Sequence, residues 1–105
     1  MLKIYETALE VIRFLKPVIA EIRRHDPDLA DQLKRASNGV APCIAEGSYS
    51  RGRNRHSLDH RALGSAKESG SCLDVALACG YIDRVDARIR AGLSSICAVL
   101  YSIVT

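Results

Sequence analysis

Apolar side chains recur at steps of three and four residues through almost the whole chain, which is the spacing of one face of an α-helix. The pattern falls into four stripes, which cover residues 5–22, 29–47, 58–77 and 85–103. No stretch alternates between apolar and polar residues in the way that a half-buried strand does. The sequence therefore predicts four amphipathic helices and no sheet.

Capping and breaking residues separate the stripes. Asp26-Pro27 predicts the start of the second helix, because aspartate caps a helix N-terminus and proline suits the first helical position. Residues 48–54 are predicted to connect the second helix to a third one over residues 55–79. Asp83 or Asp86 is expected to start the fourth helix.

Short connections make consecutive helices antiparallel neighbours. The chain has 105 residues, of which 48% are hydrophobic, and it has no tryptophan. This length suits one domain with one modest core, built mainly from aliphatic side chains. The sequence therefore predicts an all-α fold, an antiparallel up-down-up-down four-helix bundle that occupies residues 1–105 as a single domain.

The fourth stripe is flanked by a second apolar face. Its members are Leu93, Cys97, Leu100 and Val104. A helix that is apolar over so much of its circumference is either central or lies at an interface. Because no helix of a four-helix bundle is central, these four residues are predicted to form an interface between copies of the chain.

Positive charge is concentrated just after the second stripe. The formal net charge of the chain is +3. Arg51, Arg53, Arg55 and Arg61 stand against one acid, Asp59, so residues 51–61 alone carry +3 and the rest of the chain is neutral. A concentrated patch says more about binding partners than a diffuse net charge does.

This patch predicts a contact with a polyanion, because guanidinium groups bind phosphate bidentately. The candidate nucleic-acid-binding residues are Arg51, Arg53, Arg55, His56, His60, Arg61 and Lys67. No aromatic residue lies between the arginines, so phosphate or shape recognition is favoured over base stacking. The alternative is a solvated loop whose arginines pair with acids of a neighbouring subunit.

Three further charged residues are interpreted as structural. Glu46 lies at the C-terminal end of its predicted helix, where a negative charge opposes the helix dipole, and this suggests an ion pair with Arg35 or an arginine of the next helix. Arg35 and Glu68 are predicted to be buried polar groups that fix the register of the bundle. A catalytic or metal role for Glu46 is the alternative.

The cysteines and histidines give weak metal signals. Cys43, Cys72, Cys79 and Cys97 show no C-x-x-C pairing and lie in apolar helical segments, so reduced core thiols are favoured over a zinc site. His56 and His60 are four residues apart, a spacing that can hold a metal. A hydrated basic face is the favoured interpretation, and no metal or other cofactor is expected.

The sequence favours a cytoplasmic protein that is not an enzyme. The first residues turn acidic at Glu6 and do not resemble a signal peptide, and the apolar residues 96–104 are too few to span a bilayer. No phosphate-binding loop, nucleophile elbow or Cys/His nucleophilic arrangement is found.

Three short motifs carry a family resemblance. They are QLKRA at residues 32–36, IAEG at 44–47 and ALGSAKE at 62–68. In this order and spacing they resemble the four-helix bundle family of 23S rRNA intervening-sequence proteins, which is similar to the accessory variability proteins of diversity-generating retroelements. The family typically has asparagine before IAEG, whereas this chain has Cys43 there. Any role that the family assigns to that amide is therefore in doubt here.

The resemblance implies an all-α bundle that often assembles as a ring-shaped homopentamer and has no known catalysis. For the accessory branch it implies binding to nucleic acid and to a reverse transcriptase through basic surfaces. Combined with the basic patch, it predicts a homo-oligomeric, nucleic-acid-associated binding or scaffolding protein. A structural or protein-interaction module without nucleic-acid binding is the alternative.

Overall fold

Four helices fill the computed structural model, which describes residues 3–105. They are α1 (Lys3–Arg23), α2 (Pro27–Tyr49), α3 (Gly52–Ala78) and α4 (Ala87–Val104), and residues 3–105 include no strand. Helix α1 packs on α2 and α4, and α3 packs on the same two helices. The result is an antiparallel bundle with extents of 42 × 23 × 21 Å, in which α1 and α3 are diagonal. The predicted fold class is confirmed.

The core is aliphatic, as predicted. Its fully buried large side chains come from all four helices and are Leu15, Ile22, Leu33, Leu73, Ile89, Ile96 and Leu100. Alanines complete it where helices approach closely, for example Ala62 and Ala76, both with no exposed surface. Pro17 and Pro42 lie inside continuous helices, so each removes a backbone hydrogen bond without ending its helix.

The helix boundaries at one end of the bundle follow the capping residues. The Asp26 side chain accepts a hydrogen bond from the Leu29 amide at 3.0 Å, with Pro27 at the first position of α2. Asp86 caps α4 through the Arg88 amide at 2.8 Å, which decides between the two aspartates proposed for that role. Gly80, with φ 76°, ends α3 in the left-handed conformation common after a helix C-terminus.

The connection between α2 and α3 is much shorter than predicted. Helix α2 continues through Gly47 and Ser48 to Tyr49, and α3 begins at Gly52, so only Ser50 and Arg51 lie between them. Glycine and serine weaken a helix but do not end it when neighbouring residues pack, and Gly47 is itself buried. The arginines that follow Gly52 are therefore fixed on a helix and do not belong to a mobile loop.

The buried side of α4 combines residues from both of its predicted apolar faces. Leu93 and Leu100 are only 6% and 1% exposed inside a single chain, so they pack the core of the bundle and are not free to contact another copy. Val99 and Ile103 were expected in the core stripe but are exposed. Ile89 and Ile96 of the first face are buried together with Leu93 and Leu100 of the second, so α4 buries the strip between the two faces, and periodicity alone does not locate that strip.

Helix α4 has the length and apolar composition of a membrane-spanning helix. A helix in the core of a bundle has the same two properties. The buried face of α4, which includes Ile89 and Ile96, packs within this bundle. The sequence prediction considered only residues 96–104, which are too few to span a bilayer, whereas the apolar helix in the structure covers residues 87–104.

Candidate nucleic-acid interface

Helix α3 begins without the capping residue that starts α2 and α4. Arg51 occupies the N-cap position and makes no side-chain hydrogen bond to the first turn of the helix. The first amides of a helix have no partner within it, and here no acidic side chain lies in that first turn. Unpaired N–H groups and the positive end of the helix dipole attract anions.

A stripe of cationic and titratable side chains runs along the outer face of α3. Helical geometry aligns Arg53, His56, His60 and Lys67, all four of them exposed. We call these residues the α3 stripe. It spans about 21 Å from Arg53 to Lys67 at a rise of about 1.5 Å per residue. The two imidazoles lie edge to face, with ring centroids 4.7 Å apart.

The other predicted contact residues do not share this stripe. Arg61 is exposed but lies about 80° around the helix from Arg53. Arg51 precedes the helix and is exposed at its entrance. Arg55 turns toward the bundle, with its Nε 3.7 Å from Oδ2 of Asp59. The cations of this region therefore separate into the α3 stripe, Arg51 before the helix, Arg61 beside the stripe, and Arg55, which faces Asp59.

Asp59 is a buried carboxylate that the sequence analysis did not single out. It is 4% exposed, and its Oδ2 has no hydrogen-bond partner within residues 3–105, since 3.7 Å to Arg55 is too long for a hydrogen bond. The glycine at position 47 makes room for it, because a Cβ there would lie 2.8 Å from Oδ1 of Asp59. The signal was available: Asp59 lies four residues before Leu63, on the same buried stripe.

The residues predicted to be structural polar groups lie on the surface. Arg35, Glu46 and Glu68 are all exposed, which corrects the predicted burial of Arg35 and Glu68. Glu68 accepts a long hydrogen bond of 3.5 Å from Gln32, and the ion pairs within residues 3–105 include none of the three. The inner faces of α2 and α3 carry small side chains instead, among them Ala36, Ala62 and Ser69, and the longer charged groups remain outside.

Of the remaining residues of the predicted oligomer interface, Cys97 and Val104 are partly buried against the core. Three apolar side chains of α4 face solvent instead: Val99, Tyr101 and Ile103. Tyr101 is 57% exposed. The apolar surface that α4 offers to a partner therefore differs from the predicted one.

The cysteines are free thiols in different surroundings. Cys72 is buried, and burial raises its pKa; burial also raises the pKa of Cys97, so both thiols stay protonated and pack as small apolar groups. Cys79 is exposed at the end of α3, which corrects its predicted place in the core. Within residues 3–105, no three cysteine, histidine or acidic side chains are close enough to share a metal ion.

Sequence comparison identifies the family. Residues 1–102 match the family described as 23S rRNA-intervening sequence protein. The chain belongs to this family. The resemblance seen in the motifs at residues 32–68 is confirmed, and it extends over nearly the whole chain. No curated protein matches the chain significantly.

A member of the S23 ribosomal protein family has a fold similar to that of this chain. This relative is a protein of unknown function from Bacteroides thetaiotaomicron VPI-5482. Its crystal structure superposes on the present chain with a TM-score of 0.80 at 17% sequence identity. The match covers 97% of this chain and 98% of that one. At this identity the similarity shows the shared fold alone.

Proposed function

We propose that this protein is a non-enzymatic, homo-oligomeric binding or scaffolding protein that contacts nucleic acid through the α3 stripe. The observation that carries the proposal is the coincidence of exposed cations with an uncapped helix N-terminus. Arg51 and Arg53 flank the free amides at the start of α3, and Lys67 continues the positive surface along the same helix. Each of these features attracts phosphate, and together they extend along α3 as an elongated surface.

The chemistry favours backbone recognition over base recognition. Exposed aromatic rings that could stack on bases are absent from the α3 stripe apart from its two imidazoles. The 21 Å length corresponds to about six nucleotides of one strand at about 3.4 Å each.

Self-association is the second part of the proposal. The exposed Val99 and Ile103 are four residues apart and share one face of α4, and exposed apolar side chains of this kind support contact with another copy. Repetition of the α3 stripe around an oligomer would bring several phosphate-binding surfaces together and increase the affinity through multivalency. Light scattering of the purified chain measures the subunit number, for which the family resemblance implies five.

A salt titration tests the nucleic-acid contact. Fluorescence anisotropy with single- and double-stranded 20-nucleotide RNA and DNA should give affinities that fall steeply between 50 and 200 mM salt, by roughly 10²-fold if the exposed Arg51, Arg53, Arg61 and Lys67 each contact one phosphate. Lys67→Gln should weaken binding and reduce the salt slope by about one unit. Arg53→Gln/Lys67→Gln should lose on the order of tenfold or more in affinity.

The matched control is Arg84→Gln, which removes one exposed charge from the α3–α4 connection. Its affinity should equal that of the wild type. Absence of binding at 50 mM salt would favour the alternative, a structural or protein-interaction module. An equal loss in Arg84→Gln and Lys67→Gln would show that net charge, and not the α3 stripe, determines binding.

A further inference from the structure

A second basic surface lies on the other side of the bundle, along the groove between α1 and α2. The groove has a volume of about 730 Å³. Its floor is apolar and consists of Ile12, Ile19 and Ala20 of α1. Because α1 and α3 are diagonal in the bundle, this groove and the α3 stripe are separate surfaces.

The rim of the groove is positively charged. Its cationic members are Arg13, Lys16, Arg23, Arg24 and Lys34, and the remaining lining residue is Asn38. No carboxylate lines the groove within the described residues 3–105. Arg23 pairs with Asp31 at 2.7 Å outside the lining, and Arg24 pairs with Glu21 at 3.2 Å.

Three of the rim cations are available to a partner. Arg13, Lys16 and Lys34 are exposed and take part in no ion pair among residues 3–105. Lys16 lies between Ile12 and Ile19 along α1, Arg13 lies beside them and Lys34 extends from α2, so an occupant of the groove meets apolar contact together with positive charge from both helices. A complementary molecule therefore carries an apolar ridge between acidic flanks.

The spacing of the floor fits a helix. The core of the bundle takes Ala8, Leu15 and Ile22 from α1, whereas Ile12 and Ile19 remain partly exposed. Ile12 and Ile19 are seven residues apart, about 10.5 Å or two helical turns. A helix lying in the groove repeats its apolar positions over the same distance, at i, i+3 or i+4 and i+7.

We propose that the α1–α2 groove is the docking site for an acidic amphipathic helix of a partner protein. The unpaired cations would bind phosphate as readily as carboxylate, but an acidic amphipathic helix also covers the apolar floor, which a phosphate backbone leaves exposed. The proposal does not depend on the α3 stripe, and the two surfaces allow a protein and a nucleic acid to bind at the same time.

The test uses a synthetic peptide of about 16 residues, long enough to cross the groove as a helix. It carries leucines at i, i+3, i+4 and i+7 and glutamates on both flanks. Titration into the full chain labelled with ¹⁵N should shift the amides of Ile12, Lys16, Ile19 and Asn38. Lys16→Glu should weaken binding on the order of tenfold, as expected for reversal of one interfacial charge.

Control variants and competing ligands decide the outcome. Arg84→Glu makes the same charge change outside the groove and should leave peptide affinity unaltered. Equal binding of a peptide with the same residues in scrambled order would overturn the proposal, because charge alone would then explain the binding. It would also be overturned if only RNA or anionic vesicles shifted these amides, or if a second copy occupied the groove, seen as concentration-dependent shifts without peptide.

Discussion

The two ends of the bundle differ in how the first amides of their helices are capped. We call the end with the α1–α2 turn and the α3–α4 connection the capped end, and the end with the α2–α3 turn the open end. At the capped end Asp26 and Asp86 accept hydrogen bonds from the helices they start, and His25 stacks on Tyr81 with ring centroids 5.3 Å apart. At the open end Arg51 starts α3 without such a bond.

The two ends also differ in the charge that they place at the helix N-termini. Carboxylates at a helix N-terminus stabilise it, whereas Arg51, Arg53 and Arg55 place positive charge at the positive end of the α3 dipole. The open end also contains the buried Asp59, whose Oδ2 has no hydrogen-bond partner within residues 3–105. The capped end therefore has the carboxylate caps that stabilise helices. The open end lacks such a cap on α3 and has an unpaired buried carboxylate oxygen, and it is the end where we propose that phosphate binds.

The largest expected effect on the free energy of unfolding comes from filling the space beside Asp59. Gly47→Ala would place a Cβ 2.8 Å from the Asp59 carboxylate, and such overpacking should lower the free energy of unfolding by about 1–3 kcal/mol. Gly64 is the matched control, because a Cβ there meets no atom within 4 Å. Gly64→Ala should raise stability by about 0.5–1 kcal/mol. Urea unfolding measures both, and a Gly47→Ala chain as stable as the wild type would contradict the close fit.

The next effect concerns the inward arginine. Arg55→Met leaves the Asp59 carboxylate buried without the cation 3.7 Å away and should cost about 1–2 kcal/mol of stability. The double variant Arg55→Met/Asp59→Asn removes both charges and should recover most of that loss. A double-mutant cycle by urea unfolding gives the coupling between the two residues. Additive effects of the two substitutions would show that they do not stabilise each other.

Exchanging the capping chemistry of the two ends should change stability by about 1 kcal/mol in opposite directions. Asp26→Ala removes the cap of α2 and should destabilise the chain without changing nucleic-acid affinity. Arg51→Asp gives α3 a carboxylate cap and should stabilise the chain while weakening RNA binding. Thermal unfolding and anisotropy measured on the same samples test both effects. An Arg51→Asp chain that binds RNA as well as the wild type would remove Arg51 from the interface.

The smallest effect is a dependence on pH at the capped end. Hydrogen bonds from the Arg88 side chain and amide lower the pKa of Asp86 from 3.8 to about 2. A lowered pKa in the folded state contributes stability that is complete above pH 3.8 and is lost as the pH falls through 2. Asp86→Asn should therefore lose less stability than the wild type between pH 4 and pH 2. Parallel unfolding curves for the two chains across that interval would contradict the prediction.

Most of the fold could be predicted from the sequence because helical periodicity and capping are local properties. Asp26 and Asp86 act within a few residues of their own positions; the structure confirms Asp26 as the cap of α2 and selects Asp86 from the two aspartates predicted for α4. The faces of α4 could not be predicted in the same way. Leu100 and Ile103 are equally apolar, and only packing against the neighbouring helices decides that Leu100 is the buried one.

The charged surfaces were only partly visible in the sequence. The arginines of residues 51–61 are adjacent in the chain and therefore stand out. Four cations of the α1–α2 groove lie within residues 13–24 against one acid, Glu21, so this segment also carries +3, but apolar residues 17–20 separate its charges and make them less conspicuous. Folding separates the two signs, because residues three or four apart share a helix face and their neighbours do not.

Nuclear magnetic resonance with RNA compares the two ends most directly. A 20-nucleotide single-stranded RNA is titrated into the ¹⁵N-labelled chain at 50 mM salt. We predict the largest amide shifts at Gly52, Arg53 and Asn54, smaller ones toward Lys67, and none at Leu29 or Arg88 of the capped end. Shifts confined to the capped end, or no shifts at any RNA concentration, would contradict the assignment of the α3 stripe as a phosphate-binding surface.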